Sequence, residues 1–482
     1  MLLKRFYDEP LAQASYLVAS SRSGQAIVVD PNRDVAQYLD AADAAGLRIA
    51  YVTETHIHAD FVSGARELAA RTGATLLLSA EGGSQWQYGF AAADGARLLR
   101  HGDAIELGEV RIEVVHTPGH TPEHIALVLT DTAAADQAMG MLTGDFVFAG
   151  DVGRPDLLER AAQEAGTMER SARDLFRSLR RLRGYPEFLQ LWPGHGAGSA
   201  CGKSLGAVPS TALGYERLFN WAFQIADEDA FVRAVLAGQP EAPMYFAQMK
   251  RINREGPPRE STPPKLRALD VPMLEAELAR GREACWVLDT RPPSVFGAGF
   301  VPGTINVPAG RAFTTWAGSL VPPQREVALI LPDDDESLAH ALAQQLAKIG
   351  IDRVRAWGGA ALLSAWQRSG RLLDRVPIID SATLAIRPDL YVIDVRGDAE
   401  WAAGHIPGAK HLFLGELETR AAGLPRDLSL VVHCHGGTRS AIAASLLRAA
   451  GFSNVTDLAG GFAGWVAAGL PVEAGAATPA AR

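Results

Sequence analysis

The stretch Thr55-His56-Ile57-His58-Ala59-Asp60 decides how the first half of the chain is read. It closes a strand-like apolar run over residues 49–55, so two imidazoles and a carboxylate fall in a loop at a strand's carboxyl end, where layered α/β folds place their sites. Upstream, residues 14–19 and 26–30 are further strand-like runs, and residues 35–45 have helical spacing. Downstream, His120 lies in HTPGHTPEH (116–124), Asp145 in LTGDFVFAG (142–150) and His195 in LWPGHGAGS (191–199). Each follows an apolar run and is flanked by glycine, which lets backbone approach a metal closely. One such histidine alone is usually a satisfied structural group. Five signals in this order read as one metal constellation. The α/β alternation continues to about residue 240, with polar loops at 118–123, 144–156 and 193–206.

With 482 residues the chain has room for about three domains. Hydrophobic residues at 48% and charged residues at 21% are ordinary globular composition and exclude a wholly disordered chain. The formal charge of −9 gives no phosphate-tracking surface, so nucleic acid is not an expected partner. No run of 18 apolar residues occurs, and the opening MLLKRFYDEP turns charged too early for a secretory segment. A cytoplasmic protein with no membrane partner is expected. Three scattered cysteines, Cys201, Cys285 and Cys434, do not form a disulfide framework.

Beyond residue 250 the sequence becomes KRINREGPPRESTPPKL, whose prolines oppose regular structure and read as a linker. An internal repeat follows: WVLDTRPPSVFGAGFVPGTINVP (286–308) matches YVIDVRGDAEWAAGHIPGAKHLF (391–413). Each copy later carries a Gly-Gly pair, Gly358-Gly359 or Gly460-Gly461, and then Trp366 or Trp465. The expected domains are therefore 1–240, a linker at 241–265, two similar domains at 266–375 and 376–472, and a small-residue tail at 473–482.

In the second copy Cys434-His435-Gly436-Gly437-Thr438-Arg439 joins a strand-like run to a helix-spaced segment. A cysteine on a short glycine-containing loop entering a helix receives backbone N–H groups and the positive helix end, which favour thiolate and bound oxyanions. Arg439 adds a fixed cation. The first copy has Pro332-Asp333-Asp334-Asp335-Glu336 at the corresponding place and no cysteine, and its carboxylates would repel sulfur anions. Residues 266–375 thus read as an inactive twin and a candidate homo-oligomer interface, with Cys285 as plain core.

The order and surroundings of the histidines resemble the metallo-β-lactamase fold over about residues 1–240. Residues 376–472 resemble the rhodanese family. The resemblance implies an αββα sandwich followed by two rhodanese-like α/β domains. Hydrolases of the first fold usually carry H-x-H-x-D-H, and here Phe61 replaces the last histidine. GDVGRPDLLE (150–159) and GHGAGSACGKSLGAVP (194–209) resemble the persulfide dioxygenase branch fused to rhodanese domains. That branch implies one mononuclear Fe(II) held by His56, His120 and Asp145, with His58, Asp60 and His195 orienting the ligands. Cys201 is expected near the substrate, and Arg154 and Lys203 are candidate anion partners. The rhodanese resemblance implies Cys434 as the persulfide-carrying nucleophile, with the loop amides and Arg439 holding the anion. The implied function is O₂-dependent oxidation of a low-molecular-weight thiol persulfide to sulfite, coupled to sulfur transfer that forms thiosulfate, in sulfide detoxification. The alternatives are a glyoxalase II-type thiol-ester hydrolase and a non-catalytic persulfide carrier or sensor.

Overall fold

The computed structural model describes residues 1–157, 159, 166–259 and 265–475. It divides into two compact units, Met1–Thr262 with Ala347–Gly350, and Pro263–Leu346 with Ile351–Arg482.

The first unit holds two six-stranded sheets. One runs in sequence order through β1 (Leu2–Asp8), β2 (Gln13–Ser20), β3 (Gln25–Val29), β4 (Arg48–Thr53), β5 (Thr75–Ser79) and β6 (Arg97–Leu99). The other contains β7 (Ala104–Leu107), β8 (Val110–His116), β9 (Ile125–Asp131), β10 (Gly140–Gly144), β11 (Gln190–Pro193) and β12 (Thr211–Ala212). Period-two alternation decides the layers. Tyr16, Val18 and Ile27 pack with Ile112, Val114 and Leu127 in a core between the sheets. Their neighbours Leu17 and Val28 turn to the opposite face, against Tyr38 and Leu68 of the helices Ala36–Ala44 and Ala65–Thr72. On the far side of the second sheet, Val128 and Met141 meet Leu175 and Phe231 from the helices Met168–Arg181 and Glu228–Leu236. The result is the αββα sandwich, with every sheet face covered.

The second unit holds two five-stranded parallel sheets of the same order. The first is β13 (Arg267–Ala268), β17 (Val354–Gly358), β16 (Glu326–Ile330), β14 (Cys285–Asp289) and β15 (Ile305–Asn306). The second is β18 (Ile378–Ile379), β22 (Val455–Leu458), β21 (Leu430–His433), β19 (Tyr391–Asp394) and β20 (Lys410–His411). The repeat extends to side chains. Asp289 accepts from Arg291 through both oxygens, and Arg291 reaches the Gly299 carbonyl; Asp394, Arg396 and Gly404 repeat the arrangement. Trp366 Nε1 donates to Leu372 O as Trp465 Nε1 does to Pro471 O.

The linker expectation is corrected over ten of its 25 residues. Phe246–Glu255 is a helix whose Phe246, Met249, Lys250 and Asn253 are buried. Its residues are helix formers on an amphipathic spacing, and Pro257, Pro258, Pro263 and Pro264, which oppose helix, all lie beyond its end. Residues 260–264 of the expected linker and 476–482 of the expected tail lie outside the described residues. Among the described residues no helix is long and apolar enough to cross a membrane.

Candidate metal centre and cysteine site

Four strands of the first unit deliver the constellation from their carboxyl ends: β4 supplies His56, β8 leads to His120, β10 to Asp145 and β11 to His195. His56, His120 and Asp145 are all buried, and each offers a ligand atom within 4.8 Å of the others. Hydrogen bonds fix which imidazole nitrogen faces inward. The Thr55 hydroxyl donates to Asp30 Oδ2 at 2.9 Å, so it accepts from His56 Nδ1–H, also at 2.9 Å. The Arg154 carbonyl accepts from His120 Nδ1 at 3.1 Å. Both Nε2 atoms are thereby left as lone-pair donors, 3.9 Å and 3.5 Å from Asp145 Oδ2.

The charges agree with that assignment. Burial, then neighbouring His58, holds His56 well below the usual imidazole range, and burial lowers His120 as well, so both are neutral. Burial opposes ionisation of Asp145, but His195, His56 and His120 outweigh it and keep the carboxyl well below its ordinary value. Asp145 Oδ2 is enclosed and has no hydrogen-bond partner among the described residues. A buried acceptor without a donor is costly unless a cation completes it. Two neutral imidazoles and one carboxylate around such an atom fit a divalent metal.

His195 bridges the two aspartates, with Nδ1 2.7 Å from Asp145 Oδ1 and Nε2 2.8 Å from Asp60 Oδ2. Burial opposes its charge, but these carboxylates raise it well above the ordinary value, making it an imidazolium. His58 Nε2 stands 3.1 Å from Asp30 Oδ1 and its ring packs on Phe61. Cys201 Sγ lies within 4.8 Å of ligand atoms of Asp60 and His195, and burial keeps it a thiol.

In the second unit Cys434 follows β21 and is 1% exposed. The Gly437 amide donates to its Sγ at 3.1 Å, and Ser440 Oγ stands 3.7 Å away, at the start of the helix Thr438–Ala449. His435 and Gly436 are exposed, and Gly437 adopts φ +109° at the helix entry. The Gly-Gly pair supports this loop. A Cβ on Gly461 would come 2.5 Å from Cys434 O, which instead accepts from the Phe462 amide at 2.7 Å. The first lobe uses the same close approach, Gly359 against Asp333, without a thiol. There the acidic run caps helices. Asp334 accepts from Ala361 N, and Asp335 accepts from Ser337 N and Leu338 N.

Comparison with known proteins matches residues 8–195 to the metallo-beta-lactamase superfamily and residues 381–468 to the rhodanese-like domain. A metallo-beta-lactamase of solved structure from Staphylococcus aureus subsp. aureus COL is 37% identical, with a TM-score of 0.66, over 74% of this chain and 99% of that one. The chain belongs to the metallo-beta-lactamase superfamily and carries a rhodanese-like domain. A sulfurtransferase from Allochromatium vinosum is 36% identical over 20% of this chain and 94% of its own length. A hydroxyacylglutathione hydrolase from Methylococcus capsulatus is 33% identical over 37% of this chain, and the mitochondrial persulfide dioxygenase of Bos taurus 28% identical over 34%. The chain spans 60% and 59% of those two proteins.

Within the metallo-beta-lactamase domain the two expected anion partners each have protein partners. Arg154 is buried and its guanidinium grips Asp156 through Nε and Nη2 at 2.8 and 2.7 Å. Lys203 Nζ donates to Ala234 O at 2.7 Å and lies 4.1 Å from the Trp221 ring centroid, closing a helix end. Both cations serve the loop that carries Cys201. In the rhodanese-like domain Arg439 is half-buried against both oxygens of Glu400, so its charge is shared. Two residues escaped the sequence reading. Asp30 anchors Thr55 N at 2.6 Å as well as its hydroxyl and His58, and its φ of +52° marks it as a held position. His124 Nε2 accepts from Asp145 N at 3.1 Å, orienting the carboxylate. It ends the very stretch HTPGHTPEH that carries His120.

Proposed function

We propose that the chain is a persulfide dioxygenase joined to a sulfurtransferase, acting on a low-molecular-weight thiol persulfide of the glutathione or coenzyme A type in cytoplasmic sulfide detoxification. The observation that carries this reading is the donor set. His56, His120 and Asp145 face one point, while Phe61 fills the neighbouring position with a ring that ligates nothing. Two imidazoles and one carboxylate with open positions suit non-haem Fe(II), and a single iron is the group these residues would hold. Iron, when bound, supplies the redox chemistry by which dioxygen oxidises the terminal sulfur. The surrounding residues hold the ligands: Thr55 and Arg154 O fix the two tautomers, and His195 and His124 orient Asp145. Overall, persulfide, O₂ and water yield thiol and sulfite.

At the second site Cys434 takes sulfane sulfur from a persulfide, releasing its thiol. Sulfite then attacks that sulfur, giving thiosulfate and restoring Cys434. The resemblance to the bovine persulfide dioxygenase and to the Allochromatium sulfurtransferase supports the pairing.

The test is O₂ consumption by Fe(II)-loaded protein given glutathione persulfide or coenzyme A persulfide, with sulfite and thiosulfate quantified together. Uptake is expected, with thiosulfate from the natural sequence and sulfite alone from Cys434→Ser. Absence of uptake with iron bound, together with cleavage of a thiol ester, overturns the reading in favour of a hydrolase.

A further inference from the structure

Resting on the reading of Cys434 as the sulfur-carrying nucleophile, we propose that Asp457 is a positioning residue of the sulfurtransferase site, receiving the Cys434 thiol proton through Ser440 and returning it at the end of the cycle. The Ser440 hydroxyl is fully buried and donates to Gly437 O at 3.1 Å. It therefore meets Cys434 Sγ, 3.7 Å away, with a lone pair, and the thiol hydrogen points at it. That arrangement holds the thiol, whereas attack on a persulfide requires the thiolate. The proton needs an acceptor.

The charged and titratable neighbours of Cys434 are otherwise engaged. Arg439 is paired with Glu400, and Arg396 with Asp394. His433 stands 3.6 Å from Asp394 and faces the Cys434 carbonyl, and burial lowers its basicity. His435 is exposed at the loop surface. Asp457 differs. It sits on β22 opposite Val432, two residues before Cys434 on the paired strand, and its Oδ1 is enclosed without a hydrogen-bond partner among the described residues. Burial pushes its carboxyl up to about 7, opposed by the Ser440 hydroxyl and the Leu458 amide. It also lines a cavity of about 290 Å³ with Gly436, Gly437, Gly460, Pro293 and Phe296, which places its strand beside the loop that carries Cys434.

The step balances as a proton shift. The Cys434 S–H bond breaks as its hydrogen passes to Ser440 Oγ, while the hydroxyl's own hydrogen turns from Gly437 O to the Asp457 carboxylate. Thiolate and neutral acid result. The thiolate attacks the outer sulfur of the donor persulfide, and the departing thiolate takes a proton from solvent. After sulfite removes the sulfur, the same shift in reverse restores thiol and carboxylate.

The experiment measures, on the full chain, the pH dependence of sulfur transfer from glutathione persulfide to sulfite, and of iodoacetamide alkylation followed on the Cys434 peptide. Asp457→Asn and Ser440→Ala are expected to shift the acid limb of both profiles upward by about one pH unit, with about a tenfold loss at pH 7. Asp457→Glu is expected to restore the limb. Unchanged profiles in Asp457→Asn, or a uniform loss of rate at every pH, overturn the proposal. Cys434→Ser runs alongside: retained transfer in that variant overturns the underlying reading, and lost transfer with an unshifted Asp457→Asn profile overturns only the role of Asp457.

Discussion

At the scale of single residues, what distinguishes the metal-site histidines from ordinary buried ones is the tautomer imposed on them. Asp30 takes the Thr55 hydrogen, Thr55 takes the His56 Nδ1 hydrogen, and Nε2 is left to ligate. Thr55→Val keeps the shape and deletes the relay, so metal affinity is expected to fall about 10- to 100-fold, as for other groups that orient a ligating histidine. Chelator competition on the refolded variant reads this directly, and an unchanged affinity would show that the Thr55 hydroxyl is incidental. Asp457 gives a stability prediction of definite sign. Its carboxyl goes from 3.8 to about 7 on folding, chiefly through burial, so between those values the folded state binds more protons than the unfolded one. Stability therefore falls as pH rises through that window. Asp457→Asn has no proton to lose, and its melting temperature relative to the natural sequence is expected to rise between pH 4 and pH 8 and then stay level.

At the scale of elements, the site rests on a helix that composition hid. Asn253, on Phe246–Glu255, donates to the carbonyls of His58 and Phe61 at 2.8 and 2.7 Å and accepts from Ser63 N at 2.9 Å. One buried amide thus clamps the loop behind His56. Asn253→Ala leaves three buried polar groups unmet, and a loss of about 3 kcal/mol is expected on the scale of about 1 kcal/mol for each net hydrogen bond. Urea unfolding with a metal titration checks it; a variant destabilised by less than half of this would leave the loop self-supporting. In sequence this stretch merges with the linker because Pro257, Pro258, Pro263 and Pro264 dominate the window, although all four follow Glu255. The strands were legible because β2 and β3 are short apolar runs bounded by polar turns, and the ligands because each sits where such a run ends. The partners of Arg154 and Lys203 were not legible for a physical reason. A cation near a site looks free in sequence, while its partners Asp156 and Ala234 O are settled only by folding. The Gly-Gly pairs were visible as a repeat, but their purpose, room for Cys434 O and for Asp333 O, is a matter of tertiary approach.

At the scale of the whole molecule, each set of candidate groups lies within one unit. The metal donors and the groups that orient them, from Asp30 to His195, belong to the first. Cys434, Ser440, Arg439, Glu400 and Asp457 belong to the second. The species proposed to link them is sulfite, a small anion that diffuses in water. Loss of one site should therefore leave the other working, and the two should cooperate when supplied on different molecules. His56→Ala is expected to lose bound metal and O₂ uptake while still transferring sulfur to added sulfite, and Cys434→Ser to consume O₂ and accumulate sulfite. Mixed in equal amounts with persulfide and O₂, the two variants are expected to produce thiosulfate enzymatically, after a lag that shortens as the His56→Ala share is raised. A lag of this kind is the kinetic signature of a free intermediate accumulating before its consumer is saturated. A mixture that makes no more thiosulfate than Cys434→Ser alone, with both variants folded and each active in its own half-reaction, would mean that sulfite does not travel freely between the sites.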